Sequence, residues 1–396
     1  MKLRTVLFWT HLVTGLTVGL VVLMMSATGV VLTYEMQLNQ WARRHLRAQP
    51  AEGAVPQTLP QIVAEARAQR QDFSFSSVKV VSDPLEPMLL GRGRREQFYV
   101  DRYSGEDLGD GKTLMRTGLN VVMYVHRWFA LPEDHRRLGK AITGASSLAF
   151  LFLLLSGFYL WFPRSLSAIR RVVWFRRGLG TKARHFNWHN VIGFWSAIPL
   201  AIIVVGALFI SWPGGVVRRL LGDGSTQQSS SEQRELPNLA QISQAEPKIL
   251  RVAAFTPVTA ESDVVKRTPE SDAVFVQDVL ARASSEYPSW TILTAQLPDE
   301  PGEPARVTVD LGNGRQYHKR ETLSFDMTSG DLVARDTFAD MAPAIQWRRW
   351  ARFAHTGEHY GVIGQTIAGI ASFGAIFLVY TSLSLSYRRF FGTKKA

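Results

Sequence analysis

The amino-acid sequence predicts a mainly α-helical membrane protein, in which four transmembrane helices and two exported α+β domains form a twofold internal repeat. Three observations predict this fold class: four long stretches without charge, a strict separation of acidic from basic residues, and motifs that recur in both halves of the chain. Charged residues make up only 20% of the 396 residues, which is low for a soluble domain.

The four stretches without Asp, Glu, Lys or Arg cover residues 5–34, 141–163, 186–217 and 359–387. Each exceeds the roughly 20 residues that an α-helix needs to cross the hydrocarbon core of a bilayer. The first stretch is too long for the apolar part of a signal peptide and has no small-residue cleavage site, so we expect it to remain as a helix. The sequence therefore predicts four membrane-spanning helices.

The basic residues predict how these helices are oriented. All 33 acidic residues lie in the two long segments 35–136 and 213–358. The N-terminus, the loop after the second helix and the C-terminal tail carry only basic charges: Lys2, Arg4, Arg164, Arg170, Arg171, Arg176, Arg177, Lys182, Arg184, Arg388, Arg389, Lys394 and Lys395. The positive-inside rule places these three parts in the cytoplasm and the long segments outside. The net charge of +12 is thus a topology signal and does not indicate nucleic-acid binding.

These boundaries divide the chain into eight parts. They are the N-terminus with helix 1 (1–34), the first exported domain (35–136), helix 2 (137–163), a basic cytoplasmic loop (164–187), helix 3 (188–212), the second exported domain (213–358), helix 4 (359–387) and a cytoplasmic tail (388–396). The Gly-, Ser- and Gln-rich run 222–233 is interpreted as a tether between helix 3 and the second domain.

Two pairs of motifs indicate that the second half repeats the first. Asp101-x2-Ser-Gly-Glu matches Asp326-x2-Ser-Gly-Asp, and Gly139-x2-Ile-x-Gly matches Gly364-x2-Ile-x-Gly at the same displacement along the chain. We interpret the Asp-x2-Ser-Gly element as a tight turn in which Gly supplies a positive φ, in preference to a metal-binding loop.

Both exported segments have the sequence pattern of mixed α+β structure. Helical spacing of apolar residues predicts helices over 59–69 and 275–284. Alternating patterns predict strands over 73–81, 97–100, 306–311 and 322–327.

The histidines carry the functional argument. The chain has no Cys, which excludes disulfides, thiolate metal sites, iron–sulfur clusters and haem attached through Cys-x-x-Cys-His. The His residues near the predicted membrane edges form a cytoplasmic group (His11, His185, His189) and an outer group (His126, His135, His355, His359), and each group draws on both halves of the chain. Ionisable residues inside membrane helices are costly and are functional candidates by default.

A pair of imidazoles in each leaflet would hold two b-type haems stacked across the membrane, because neutral imidazole is a common axial ligand of haem iron. Each His alone could equally anchor a helix end at the interface. The tryptophans beside them fit an aromatic belt as well as the walls of a porphyrin site. The many glycines of the four helices fit close helix packing as well as contact with a flat macrocycle.

Taken together, these motifs resemble the PepSY-associated transmembrane proteins. The resemblance rests on the His-x3-Gly starts of helices 1 and 3, the elements His126-Arg-Trp and His355-Thr-Gly-Glu, and the exported Asp-x2-Ser-Gly turns. Within that family the chain looks most like the iron-regulated inner-membrane reductases of ferric siderophores in Gram-negative bacteria. The resemblance implies four helices, two periplasmic PepSY domains, haem b in the membrane and electron delivery to a periplasmic ferric siderophore.

Matching the motifs one by one gives the ligands that the resemblance implies. His11 and His189 would bind the haem on the cytoplasmic side, and His126 and His355 would bind the haem on the periplasmic side. His185, His135 and His359 remain alternatives.

The resulting hypothesis is an oxidoreductase that takes electrons from a cytoplasmic reductant or a membrane quinol and reduces Fe(III) in the siderophore. Reduction weakens the grip of hard oxygen ligands on iron and so releases it. The sequence shows no hydrolytic constellation. Two other function classes stay open: a binding or regulatory PepSY module without redox activity, and a transporter of the siderophore or of iron, which the absence of acids from the spans disfavours.

Overall fold

The computed structural model describes residues 3–70, 73–92, 96–163, 169–211 and 268–391, without the side chains of residues 170 and 171. The proposed tether 222–233, part of the second exported segment, part of the basic loop and the end of the C-terminal tail lie outside the described residues.

Four long helices dominate the described chain. The helices are α1 (Leu3–Leu32), α2 (Glu35–Ala42), α3 (Leu59–Gln69), α4 (Leu114–Trp128), α5 (Arg136–Trp161), α6 (Ile169–Val173), α7 (Thr181–Ser211), α8 (Pro269–Glu286), α9 (Pro343–His355) and α10 (Gly361–Phe390). Helices α1, α5, α7 and α10 overlap the four predicted spans, and each is long and apolar enough to cross a membrane. The chain is therefore a membrane protein.

The four long helices form a ring in the order α1, α5, α7, α10, because each packs against the next and α10 returns to α1. Large apolar side chains point away from the ring, among them Leu20, Ile198, Ile363 and Ile370, which are 68–76% exposed. Such an apolar outer surface is typical of helices in contact with lipid.

The strands of the described residues form one antiparallel sheet, which lies at one end of the ring. Its strands are β1 (Ser77–Val81), β2 (Met88–Arg92), β3 (Glu96–Val100), β4 (Ile292–Gln296), β5 (Ala305–Asp310), β6 (Arg320–Phe325) and β7 (Leu332–Thr337). Their order is β3-β2-β1-β4-β5-β6-β7, so strands of both exported segments join through the antiparallel pair of β1 and β4. Val78, Leu90 and Val307 point from one face into an apolar core that α3 and α8 cover.

Both Asp-x2-Ser-Gly elements form the predicted turns. Asp101 Oδ1 accepts hydrogen bonds from the backbone N–H groups of Tyr103 (2.7 Å) and Ser104 (3.0 Å). Asp326 Oδ1 accepts the corresponding two bonds after β6. Gly105 and Gly330 both have a φ of +72°, which a residue with a Cβ rarely adopts.

Several predicted elements differ in extent from those observed. The helix over 59–69 is as predicted, whereas α8 and α7 each begin at least five residues before the predicted start. His185 and His189 therefore lie inside α7. His355 ends the separate helix α9 and does not begin the fourth span, because Gly357 and Gly361 adopt positive φ and break the helix between α9 and α10.

Candidate functional site

Two cavities lie along the axis of the helical ring. The sheet-side cavity has a volume of about 320 Å³ and is lined by residues that include Met25, His126, Ser147, Leu200 and His355. The distal cavity has a volume of about 100 Å³ and is lined by residues that include His11, Leu153, Trp161, His189 and Phe194. Val22 of α1 and Phe150 of α5 line both, so the cavities meet near the middle of the bundle.

His126 and His355 meet across the sheet-side cavity. Their ring centroids are 6.2 Å apart and their planes are inclined by 52°. An imidazole nitrogen lies about 2.0 Å from a bound transition metal, so two imidazoles on opposite sides of one metal have centroids about 6.4 Å apart. At the observed separation, the two imidazoles could together hold one metal centre between them.

The two helices that carry this pair pack against the ring and are not among its four long helices. Helix α4, with His126, packs on α1 and α5, whereas α9, with His355, packs on α7. Thr113 caps the start of α4 by accepting a hydrogen bond from the Arg116 N–H at 3.1 Å. Helix α4 stops at Phe129, which has a φ of +57°. Each of these helices thus places one imidazole, from one half of the chain, in the sheet-side cavity.

Hydrogen bonds fix the tautomer of both rings. His355 Nδ1 donates to the carbonyl oxygen of Ile203 at 2.7 Å. His126 Nδ1 lies 2.8 Å from Thr28 Oγ1, whose own proton goes to the Met24 carbonyl at 2.7 Å, so the imidazole is the donor. With the proton on Nδ1, each Nε2 keeps a lone pair for a metal.

His11 and His189 both line the distal cavity, and each also forms a hydrogen bond through Nδ1. His11 Nδ1 lies 2.9 Å from Ser156 Oγ, which donates to the Phe152 carbonyl. His189 Nδ1 lies 3.0 Å from Thr381 Oγ1, which donates to the Phe377 carbonyl. Both imidazoles therefore donate through Nδ1 and keep Nε2 as an acceptor. They come from α1 and α7, which stand diagonally opposite in the ring.

Glycines bring backbone close to three of these four imidazoles. A Cβ added at Gly157 would lie 3.1 Å from His11 Cε1, and one added at Gly29 would lie 3.6 Å from His126 Cε1. At Gly206 the added Cβ would lie 2.6 Å from the Ala351 carbonyl oxygen and 2.9 Å from His355 Cβ. Gly206 is therefore required for α9 to approach α7 closely enough to place His355.

The other candidate histidines lie outside both cavities. His185 is buried, its Nδ1 lies 2.7 Å from Ser384 Oγ, and its ring packs near Trp188 and Tyr380. His135 is exposed in the short turn between α4 and α5. His359 contacts His318, with ring centroids 4.4 Å apart. The structure thus brings together His126 with His355, and His11 with His189, but places none of the three alternatives with them.

Cationic side chains surround the mouth of the sheet-side cavity. Arg127, Lys140, Arg315 and Arg352 line it, together with the acids Glu35 and Glu358. Glu358 is only 4% exposed and accepts a hydrogen bond from Thr356 at 2.7 Å, with Arg315 at 3.7 Å. Arg127, Lys140 and Arg352 form no ion pair with the residues that the structure describes, so this mouth favours anionic groups.

A further cation lies on the sheet. Lys79 of β1 points away from the apolar core, and its Cα partner on β4 is Thr294. Burial lowers the pKa of the Lys79 ammonium, and the guanidinium groups of Arg320 and Arg43 lower it further, while Asp310 opposes them. Asp310, which is buried, forms its ion pair with Arg320, so Asp310 balances the charge of Lys79 less than that of Arg320.

Sequence reasoning identified the imidazoles but not their partners. Thr28, Ser156 and Thr381 are hydroxyl residues in stretches without charge, which is the one sequence signal they offer. That signal is weak because Ser and Thr in helices commonly bond to their own backbone, as all three also do here. Across the described parts of the chain, no group of three or more His, Asp or Glu could hold a metal ion.

Comparison with known proteins shows the family. No curated protein is significantly similar to the chain. The family model described as the PepSY-associated TM region matches residues 8–389, which include the seven strands and all but the outermost residues of the four long helices. The chain therefore belongs to the family of proteins with a PepSY-associated transmembrane region.

Proposed function

We propose that this protein is a di-haem b reductase of the bacterial inner membrane, which passes electrons across the bilayer to Fe(III) held by periplasmic siderophores. The observation that carries the proposal is the His126–His355 pair, with its 6.2 Å centroid separation and both Nδ1 protons directed away from the ring partner. Haem, when bound, supplies one-electron carriage, which the side chains of this chain cannot supply themselves.

The residues at both sites fit this group. In the distal cavity, the indole Nε1 of Trp161 is buried and has no hydrogen-bond partner among the described residues, so a donor is left for a polar ligand group. Gly157 and Gly29 let the backbone of the neighbouring helices pack closely against the imidazoles of His11 and His126. In the sheet-side cavity, Arg127, Lys140 and Arg352 would pair with the two carboxylates that a haem carries.

The side chains of the protein would then have three tasks. Thr28, Ser156 and Thr381, with the Ile203 carbonyl, hold each imidazole in the tautomer that presents Nε2. Val22 and Phe150, which line both cavities, present apolar side chains between the two sites. The cationic mouth of the sheet-side cavity attracts anionic groups to the outer site.

The proposed orientation places the sheet in the periplasm and both termini in the cytoplasm. The basic residues of the chain ends gather at the end of the ring opposite the sheet, where Arg4 donates to the Leu160 carbonyl at 2.7 Å and Arg389 lies over the ring of Trp9. A basic end of this kind favours the cytoplasmic side.

The proposed twofold repeat with two PepSY-type units is supported by the order of the elements. Helix α3 precedes β1–β3, α4 and α5 in the first half, and α8 precedes β4–β7, α9 and α10 in the second, so that the second half has one strand more. Each imidazole pair takes one member from each half, as expected if an ancestral unit contributed one ligand to each site.

The experiment that tests this function is reduction by the purified chain in sealed vesicles. A ferric siderophore is supplied outside vesicles that enclose a reductant, with the sheet facing outward, and Fe(II) is trapped by a coloured chelator. We expect Fe(II) to appear outside with the wild-type chain and not with His126→Ala. Equal rates in protein-free vesicles would contradict the proposal, and siderophore binding without reduction would favour the regulatory or binding class.

A further inference from the structure

A third pair of imidazoles, formed by His318 and His359, lies beside the mouth of the sheet-side cavity. His318 belongs to the turn Tyr317–Lys319 between β5 and β6, and His359 belongs to the turn Glu358–Tyr360 before α10. Their ring centroids are 4.4 Å apart and their planes are inclined by 53°. Gln316 links the two turns by donating from Nε2 to the His359 carbonyl at 3.3 Å.

Both rings are available to a ligand. His318 is exposed and His359 is half-buried. Neither ring forms a hydrogen bond through its nitrogens with any residue in the described part of the chain, in contrast to the four cavity histidines, which all use Nδ1. The pair is therefore not needed to satisfy another polar group.

The separation of the rings distinguishes this pair from His126 and His355. With about 2.0 Å between nitrogen and metal, rings in adjacent coordination positions have centroids about 4.5 Å apart, against about 6.4 Å for opposite positions. The His318–His359 distance fits adjacent ligands of one octahedral ion, a geometry that leaves the other positions to water.

The position of the pair relates it to the cavity. Glu358, which lines the sheet-side cavity, directly precedes His359, and Arg315, which also lines it, lies three residues before His318. The turn that carries His359 thus contributes Glu358 to the wall of the site where reduced iron would be produced, and the turn that carries His318 follows closely after Arg315 of that wall. Imidazole suits divalent iron, cobalt, nickel, copper and zinc, whereas Fe(III) in siderophores is held by hard oxygen ligands.

We propose that His318 and His359 bind a divalent transition-metal ion as adjacent ligands. The identity of the ion rests on the proposed function: it is the Fe(II) that forms when one electron from the reductant converts chelated Fe(III), and that then leaves the oxygen ligands.

The test is metal titration of the full chain in detergent, purified through a tag without histidine. Ni(II) is the air-stable probe, followed by calorimetry, and Fe(II) is titrated without oxygen. We expect the wild-type chain to bind one more equivalent of either ion than His318→Ala or His359→Phe. Phe at position 359 keeps an aromatic contact but removes the nitrogens. His45→Ala and His135→Ala, which change exposed histidines elsewhere, serve as matched controls and should bind like the wild type.

Two outcomes would overturn the metal site. If His359→Phe binds as much metal as the wild type, the rings only pack on each other, and if the two control variants lose as much metal as His318→Ala, the binding is unspecific. The haem spectrum of the same samples separates this proposal from the proposed function. Haem without the extra metal contradicts the metal site alone, whereas the extra metal in a colourless protein contradicts the reductase alone.

Discussion

The imidazoles of His126 and His355 share one cavity with their ring centroids 6.2 Å apart, although more than 200 residues of sequence separate them. One is carried by α4 and the other by α9, two helices that do not belong to the membrane-spanning ring. The meeting of the two imidazoles in one cavity therefore depends on how each helix packs against the ring. Substitutions at the ring contacts should disturb the site as substitutions of the imidazoles do.

We first expect His126→Ala and His355→Ala each to lower the haem content of the purified chain from two per chain to one. The double variant should lose no more than either single variant, because removal of one axial ligand already breaks the site. Haem content is measured by extraction and absorption. His359→Ala is the control, since its ring lies outside both cavities, and an equal loss in that variant would contradict the assignment.

We expect the hydroxyl partners of the imidazoles to strengthen the binding of haem at each site without being essential for it. Thr28→Val keeps the shape of the side chain but removes the acceptor of the His126 Nδ1 proton, and we expect affinity for haem at that site to fall by about 10–100-fold. Haem transfer to an apo-acceptor protein measures this affinity. Thr17→Val on the same helix is matched, because Thr17 Oγ1 bonds only to the Val13 carbonyl in the described structure at 2.9 Å. Equal effects of both substitutions would indicate a general effect on the helix.

Gly206 should tolerate no side chain. Gly206→Ala places a Cβ 2.6 Å from the Ala351 carbonyl oxygen, so α9 must move away from α7 at a cost of about 1–3 kcal/mol in the free energy of unfolding. Loss of the sheet-side haem should accompany this change. Gly118→Ala in α4 meets no atom within 4 Å and should instead stabilise the chain by about 0.5–1 kcal/mol. Thermal unfolding in detergent measures both effects, with haem absorbance as a second signal. Equal stability and equal haem content of the two variants would contradict the packing argument.

We expect Lys79 to lower the free energy of unfolding by an amount that depends on pH. Burial and neighbouring guanidinium groups lower the pKa of Lys79 in the folded chain, so the unfolded chain binds more protons and stability rises with pH between the folded pKa and the unfolded value of about 10.4. Lys79→Met should therefore raise the free energy of unfolding at neutral pH, and its advantage should shrink as the pH approaches that value. Lys112→Met, at an exposed site, is the control. An advantage that grows with pH would contradict this account.

Much of the membrane part could be predicted because lipid imposes simple rules. A span needs a long apolar run without charge, and the four runs of the sequence correspond to α1, α5, α7 and α10. The break between α9 and α10 was not predicted, because a charge-free run does not reveal that Gly361 adopts a positive φ. The helical ring also puts His11 and His189 on diagonal helices, a relationship that depends on packing and has no sequence signature.

The sheet was predicted only in part, for a physical reason. Strands β1, β3, β5 and β6 alternate apolar and polar residues and overlap the predicted strands. Strand β2, Met88–Arg92, has little alternation, and β7 is an exposed edge strand whose residues face no core. The pairing of β1 with β4 joins segments that are distant in sequence, and no local pattern specifies such a partner.

The central claim is tested most directly by the haem stoichiometry of the wild-type chain, measured from its absorption spectrum in the oxidised and dithionite-reduced states. The account predicts two non-covalent b-type haems per chain, both six-coordinate and both reducible. A colourless chain, purified from cells supplied with haem and iron, would contradict it.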